Sequence, residues 1–167
     1  MRTLVTFIAA ISLSLAMLAM QPNTASAAVT VVGTINGGGT ALMTSGPTAG
    51  GKSISSFGIH ATLFSDGSAQ GHFDCVDQMG DTAPGNVFGA ITSWSKDATG
   101  VITLHITDGK FVAIPGGLAV PGGLPFSVTI QSFGGAGEGH WTLNVGANPN
   151  PTCIELLISG QIVARWN

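Results

Sequence analysis

Two histidines and an aspartate in adjacent extended segments form the pattern that comes nearest to a metal site. His60 and His72 flank the turn Ser65-Asp66-Gly67, and Asp74 follows two residues after His72. If the two segments pair as a hairpin, these side chains lie in one cross-strand patch. Imidazole and carboxylate groups bind zinc or copper and can transfer protons. The three residues are therefore the candidate metal or hydrolytic site, and the alternative is a polar sheet face without a metal.

The only two thiols of the chain are Cys75 and Cys153. In an exported protein a lone pair of cysteines favours a disulfide, and the long loop that it closes makes the bond stabilising. Two metal-binding thiolates are the alternative, but a zinc site requires more ligands at short spacing. We therefore predict a disulfide bond between these two residues.

A glycine-rich segment at 46–53 matches the nucleotide-binding P-loop pattern. That motif works because a following helix points its N-terminus at the phosphates. Residues 54–61 alternate between apolar and other residues as a strand does, and they show no helical pattern. The sequence therefore does not predict ATP binding.

The carboxylates suggest no further chemistry. Asp74, Asp77 and Asp81 cluster near a turn, but their spacing matches no assignable calcium loop, and solvated turn residues are the simpler interpretation. Glycoside hydrolysis needs two carboxylates flanking the bond, and nothing in the sequence brings Glu138 and Glu155 together. No Gly-x-Ser-x-Gly nucleophile motif occurs. We predict no catalytic residue and no cofactor.

The first 27 residues have the features of a helical signal peptide. Arg2 precedes an apolar run at 4–20, Pro22 breaks the helix, and Ala25-Ser26-Ala27 fits the signal peptidase site. An uncleaved anchor helix is the alternative, but the apolar run is at the short limit for crossing a bilayer. We predict cleavage near Ala27, a secreted or extracytoplasmic protein, and no transmembrane segment after cleavage.

The remaining residues, 28–167, have the composition of one folded domain. Over the whole chain, Arg2 of the predicted signal peptide included, Lys and Arg total five against eight Asp and Glu, a formal net charge of −3, and the basic residues do not cluster. Binding to a phosphate backbone requires clustered basic side chains, so nucleic acid is not a predicted partner. Low charge with 44% hydrophobic residues also argues against disorder.

Short β-rich runs separated by glycine, proline and asparagine clusters fill this domain, and no apolar pattern keeps helical spacing for three turns. The pattern predicts strands at 28–36, 52–64, 68–77, 86–95, 101–108, 110–114, 125–133, 139–146 and 153–166, with a shorter piece at 40–43.

The first hairpin carries enough information to fix its register. Directly opposed residues of an antiparallel pair share a face. A three-residue turn with Gly67 in the left-handed position keeps both apolar sets on one face, whereas a two-residue turn would separate them. The predicted pairs are Leu63 with Ala69, Ala61 with Gly71, Ile59 with Phe73 and Phe57 with Cys75, and on the other face His60 with His72 and Gly58 with Asp74.

Two further hairpins show the same alternation. The apolar face of the second is predicted to contain Phe88, Ala90, Trp94, Ile102, Leu104 and Ile106. That of the third is predicted to contain Phe126, Val128, Ile130, Leu143 and Val145. The segment at 153–166 alternates apolar residues for most of its length and has the strongest strand signal.

Successive hairpins with short loops predict an all-β fold, an antiparallel meander of about eight or nine strands. Closure removes the edges of such a sheet, so we predict a closed or nearly closed β-barrel, with a β-sandwich as the alternative. The Pro-Gly-Gly-Leu repeat at 115–118 and 121–124 is predicted to be a surface loop. A membrane-spanning barrel is the weaker alternative, because a chain with no Tyr and three Trp cannot easily form aromatic girdles.

Three short motifs of the first hairpin, Phe57-Gly58-Ile59, Asp66-Gly67 and Gly71-His72-Phe73, carry a family likeness. Through them the chain resembles an uncharacterised group of small secreted bacterial all-β domains with a Phe-Gly-apolar strand, an Asp-Gly turn and a Gly-His-Phe strand. Cys75 stands where an aromatic residue is usual in that group. The resemblance implies export and a β-fold, and it implies no activity.

On these observations we expect a secreted or cell-surface β-domain that is a binding or structural module and not an enzyme, with a surface macromolecule as its partner. Two alternatives stay open. One is a small barrel that carries an apolar ligand, as closed barrels of this size can. The other is the metal-binding or hydrolytic site at His60, His72 and Asp74. A filled interior would exclude the ligand, and a cavity lined by Phe and Trp would favour it.

Overall fold

Nine strands make up most of the chain that the structure describes. The structure, a computed structural model, describes residues 27–45, 53–77, 84–114, 119–146 and 150–167. The strands are β1 (Val31–Ser45), β2 (Ile54–Phe64), β3 (Ser68–Asp77), β4 (Gly85–Lys96), β5 (Ile102–Ala113), β6 (Ala119–Ser132), β7 (Gly134–Gly135), β8 (His140–Val145) and β9 (Cys153–Trp166). Within these ranges no helix is long and apolar enough to cross a bilayer. The predicted signal peptide lies outside them except for its last residue.

The strands form a closed eight-stranded antiparallel barrel with one short extra strand. β1 to β6, β8 and β9 pair in that order, and β9 pairs back to β1. The extra strand, β7, pairs Gly134 with Ile162 and Gly135 with Gln161 of β9. This arrangement confirms the predicted all-β meander and barrel, and it is not a sandwich. Closure pairs the backbone groups that an open sheet would leave at its edges.

The β2–β3 hairpin has the register predicted for it. Every predicted pair is present, including His60 opposite His72. Gly67 has a φ of 83°, the left-handed conformation that the three-residue turn requires. Oδ1 of Asp66 accepts hydrogen bonds from the backbone nitrogen of Ser68 at 2.9 Å and from its Oγ at 2.6 Å. The turn therefore fixes which side of both strands faces the interior.

The prediction for β4 is wrong in part. Phe88 and Ala90 lie on the outer wall of the barrel, and Ile91 is the buried side chain of this region. Trp94 lies opposite Leu104 and packs against the core, as predicted. The alternation changes phase between Ile91 and Trp94, at the level where the β3–β4 register also shifts. A single alternation therefore cannot describe the whole strand.

Several strands are longer than predicted, because the chain stays paired through glycines. The segments 28–36 and 40–43 belong to one strand, β1, and the segments 101–108 and 110–114 belong to β5. β6 begins at Ala119, so the second Pro-Gly-Gly-Leu copy lies in a strand and not in the predicted surface loop. The β5–β6 register is irregular there, which accommodates a proline without an N–H for the ladder. The first copy lies outside the described residues.

Aromatic rings fill the middle of the barrel. The third hairpin brings its predicted apolar residues together, with Val128 opposite Leu143. Successive ring centroids are 5.4 to 6.1 Å apart in the central cluster of Phe57, Trp141, Phe73 and Phe126. Such tilted and edge-on contacts are favourable beyond the burial of apolar area. This cluster forms the centre of the hydrophobic core.

A β-bulge in β9 changes which of its side chains face inward. Thr40 pairs with Ser159 and Ala41 pairs with Leu157, so Ile158 is an extra residue without a partner on β1. Ile158 is 46% exposed. Gly160, beside the bulge, has a φ of 77°. Odd-numbered residues of β9 face the interior before the bulge, and even-numbered Ile162 faces it afterwards.

We predict that Gly160→Ala destabilises the protein by about 3 kcal/mol, because it adds left-handed strain to overpacking. A Cβ at Gly160 would overlap the carbonyl oxygen of Gly38 and lie 2.8 Å from its carbonyl carbon. The matched control is Gly135→Ala on the neighbouring strand, where a Cβ meets only the Gly160 oxygen at 3.7 Å. Urea unfolding of both variants measures the effect. Equal stability of the two variants would contradict the left-handed conformation and close packing of Gly160 at the bulge.

Candidate functional site

The residues of the predicted metal site lie on the outer wall of the barrel. His60 and His72 are opposite one another and exposed, and Asp74 is opposite Gly58. The His72 ring packs near Phe88 with centroids 6.5 Å apart, and the Asp74 carboxylate lies over Gly58. In the described chain no three His, Cys, Asp or Glu side chains are placed to hold a metal ion. The register was predicted correctly, but these side chains do not converge into a ligand set.

The P-loop-like segment is followed by a strand. Residues 46–52 lie outside the described ranges, and β2 begins two residues later. Ser53 is buried, and its Oγ donates to Oδ1 of Asp77 at 2.8 Å. A strand at this position has no helix N-terminus to offer a phosphate.

The carboxylates considered for calcium or glycoside chemistry are not grouped either. Asp74 is on the outer wall and Asp77 lines the barrel interior, while Asp81 lies outside the described residues. Glu138 is exposed in the turn before β8, and Glu155 is completely buried inside the barrel. The two glutamates therefore do not flank a common space.

A cavity of about 290 Å³ lies inside one end of the barrel. Its lining comes from the strand ends nearest the β1–β2, β3–β4, β5–β6 and β8–β9 connections, each of which includes residues outside the described ranges. Apolar side chains form most of its wall: Met43, Val87, Phe111, Leu124, Leu143 and Val145. A concave, mostly apolar site of this kind is suited to a small molecule.

A polar group lies in this apolar cavity. Oγ of Ser55 donates to Oε1 of Glu155 at 3.0 Å. These residues belong to β2 and β9, which flank β1: on β1, Ala41 is opposite Ser55 and Met43 is opposite Glu155. The hydrogen bond between Ser55 and Glu155 therefore spans β1 on the inner side of the barrel. The other carboxyl oxygen, Oε2 of Glu155, has no hydrogen-bond partner among the described residues.

The buried Glu155 is the residue with unusual acid–base properties. Desolvation raises its pKa from the ordinary 4.5 to about 7, although hydrogen bonds with Ser55 and Cys153 act in the opposite direction. The negative charge of Asp77 adds to the rise. A carboxyl group with a pKa near 7 can exist in either form under physiological conditions, and it changes charge when its surroundings change.

Sequence reasoning missed Glu155 as an interior residue. In the segment 153–166 the even-numbered positions are the more apolar ones, including Ile154, Leu156 and Ile158. A uniform alternation would therefore turn Glu155 toward water. The bulge reverses the phase, and the signal that could have revealed it is Gly160 in the interior of a strong strand pattern.

The disulfide prediction is wrong in the structure: Cys75 and Cys153 are both free and buried. They lie on β3 and β9, and each has its own polar neighbour, Ser55 beside Cys75 and Glu155 beside Cys153. Burial, reinforced by the Glu155 charge, raises the pKa of both thiols far above the ordinary value. Buried neutral thiols of this kind are poor nucleophiles and poor metal ligands.

Fold and site together define a closed up-and-down barrel with an internal, mostly apolar cavity at one end. Comparison of the chain with protein-family models, with curated proteins and with solved structures finds no match. The function is therefore argued from the cavity and its residues.

We predict that the folded protein contains two unreactive thiols. Without reductant, a thiol reagent such as 5,5′-dithiobis(2-nitrobenzoate) should label none of them in the native state at pH 8, because both are buried with raised pKa. In guanidinium chloride the same sample should show both thiols per chain. Absence of thiols after denaturation would instead demonstrate a disulfide.

We predict that Glu155→Gln removes a pH dependence of stability. The folded-state pKa of Glu155 is raised, so its contribution is fully present below about pH 4.5, falls as the pH rises toward 7, and is lost above 7. Between pH 5 and pH 8 the wild type should lose about 3 kcal/mol of unfolding free energy relative to the variant. Urea unfolding across this range measures the difference, with exposed Glu138→Gln as control. Parallel pH profiles of wild type and Glu155→Gln would contradict it.

Proposed function

We propose that this domain is a small-molecule-binding barrel that carries an apolar ligand in its end cavity. The observation that carries the proposal is the cavity, in which an apolar wall surrounds one buried carboxyl group. Binding sites for small molecules have this composition: apolar side chains supply the affinity, and a few polar groups fix the orientation. Among the functions considered from the sequence, the ligand-carrying barrel is the one that this site favours.

The size of the cavity limits the ligand. An eight-stranded barrel is either filled by its own side chains or holds one small ligand. An apolar cavity of about 150 Å³ is enough to bind benzene. With about 290 Å³, this cavity suits a molecule of about two fused rings or a short branched chain.

The proposed place of action follows from the predicted signal peptide. Cleavage near Ala27 would deliver residues 28–167 outside the cytoplasm, where a small barrel can hold an apolar molecule that is poorly soluble in water. The proposed role is binding or carriage without chemical change of the ligand. Free buried thiols and the buried carboxyl group of Glu155 fit a binding role better than they fit acid–base catalysis.

We predict that the exported, processed protein binds naphthalene with a Kd of about 0.1 mM or tighter, as equilibrium dialysis can measure. Val87→Phe should weaken binding at least about tenfold, because the larger side chain fills part of the cavity.

The matched control is Ala90→Phe, which adds the larger side chain on the same strand but at an exposed position of the outer wall. It should bind naphthalene as the wild type does. Circular dichroism and thermal unfolding confirm that both variants are folded. Loss of binding in both folded variants, or no binding by the wild type, would refute the proposal.

A further inference from the structure

The ionisable groups of the cavity are all acidic or neutral. Among the described residues that line it, the ionisable side chains are Asp77, Glu155 and the two cysteines, and none is Lys, Arg or His. The nearby cation of β5, Lys110, is opposite Phe88 on the outer wall. The cavity therefore offers hydrogen-bond acceptors and negative charge to whatever enters it.

The unsatisfied polar atom of the described cavity lining is Oε2 of Glu155, which is an acceptor when the carboxyl group is ionised. Glu155 has no exposed surface, its Oε1 already accepts from Ser55 at 3.0 Å, and its Oε2 has no partner in the described chain. Buried carboxylate oxygens are costly unless a donor reaches them. Asp77, whose Oδ1 accepts from Ser53, lies close enough to act on the charge of Glu155. A donor with a positive charge would both satisfy Oε2 and compensate the charge of ionised Glu155.

We propose that the ligand of the end cavity is a hydrophobic amine, whose ammonium group donates to Oε2 of Glu155 while its hydrocarbon part packs against Val87, Leu143 and Val145. This inference rests on the proposed function and adds the chemical class of the ligand. An ammonium–carboxylate hydrogen bond is charge-assisted and shorter and stronger than a neutral one. In an apolar cavity the surrounding low dielectric increases that advantage.

Two other binding partners for Oε2 of Glu155, a metal cation and a neutral alcohol, fit less well. A metal cation needs several converging ligands, and the described residues contain no such group of three. A neutral alcohol can donate one hydrogen bond to Oε2, but it leaves the negative charge of ionised Glu155 uncompensated. A buried charge without a counterion is unfavourable, so the amine is the better partner.

The test compares three probes with the same naphthalene skeleton: 2-naphthylmethylamine, 2-naphthylmethanol and 2-naphthoate. Isothermal titration calorimetry of the exported, processed protein at pH 7.5 gives each Kd. We expect the amine to bind at least about tenfold tighter than the alcohol, and the carboxylate to bind weakest, because it places a second negative charge beside Glu155.

Glu155→Gln separates the two proposals. The amine should lose its advantage over the alcohol in this variant, because a neutral amide cannot pair with the ammonium charge. Glu138→Gln, at an exposed position on the turn before β8, is the matched control and should keep the wild-type order. Equal binding of amine and alcohol by the wild type overturns the amine and leaves the proposed function intact. Binding of none of the three probes refutes both.

A pH titration provides a second readout. The groups that face Glu155 are Cys75 and Asp77 from β3 and Cys153 from its own strand, while β1, β2 and β8 present Met43, Ser55 and Trp141. The thiols stay protonated because their pKa is raised. Amine affinity should therefore rise about tenfold or more from pH 5 to pH 8 as Glu155 ionises, and alcohol affinity should not rise. An amine affinity that is flat across this range contradicts the contact with Glu155.

Discussion

Pairing of β1 with β9 closes the sheet, and the bulge within that pairing decides what lies inside it. Because of the extra residue, Ile158, all earlier residues of β9 face the side of the sheet opposite to the one that an uninterrupted alternation would give them. Cys153, Glu155 and Leu157 therefore face the interior, although the neighbouring even-numbered residues are more apolar. Close approach of Gly160 to Gly38 makes this geometry possible. Without the bulge the cavity would have an aliphatic wall here, and the carboxyl group would face water.

The cavity exists because small residues face inward at one end of the barrel. The middle layer contains rings such as Phe57 and Trp141, which fill the cross-section. At the cavity end of the strands, the inward positions include Ser55, Cys75 and Cys153. Eight strands enclose an interior that large side chains just fill, so short ones leave space. These short side chains leave room for a ligand, and because they are Ser and Cys they also bring polar atoms into the cavity.

The sequence predicted the parts of the fold in which alternation is uninterrupted. The first hairpin was predicted pair by pair, because Gly67 sets the parity of both strands and the β2–β3 pairing runs without a register shift. Strands with bulges were predicted less well: Phe88 was placed inside, and the inward direction of Glu155 was missed. One inserted residue reverses the inward or outward direction of every later side chain, and the only sign of it in the sequence is a glycine. The disulfide failed for a different reason, since counting cysteines carries no information about where their side chains point.

Two features that lower stability, an apolar cavity and a buried carboxyl oxygen without a donor, occur at the same place in this barrel. Their coincidence favours a ligand. An unfilled apolar cavity forfeits dispersion contacts, and a buried carboxyl oxygen without a donor forfeits hydration. A leucine at the position of Glu155 would remove the second cost and reduce the first, because apolar replacements of buried charged groups are often stabilising. A molecule with a hydrocarbon body and one donor group would restore both the dispersion contacts in the cavity and a hydrogen bond to the carboxyl oxygen. Its binding free energy would then add to the folding free energy of the barrel, more strongly as its concentration exceeds its Kd.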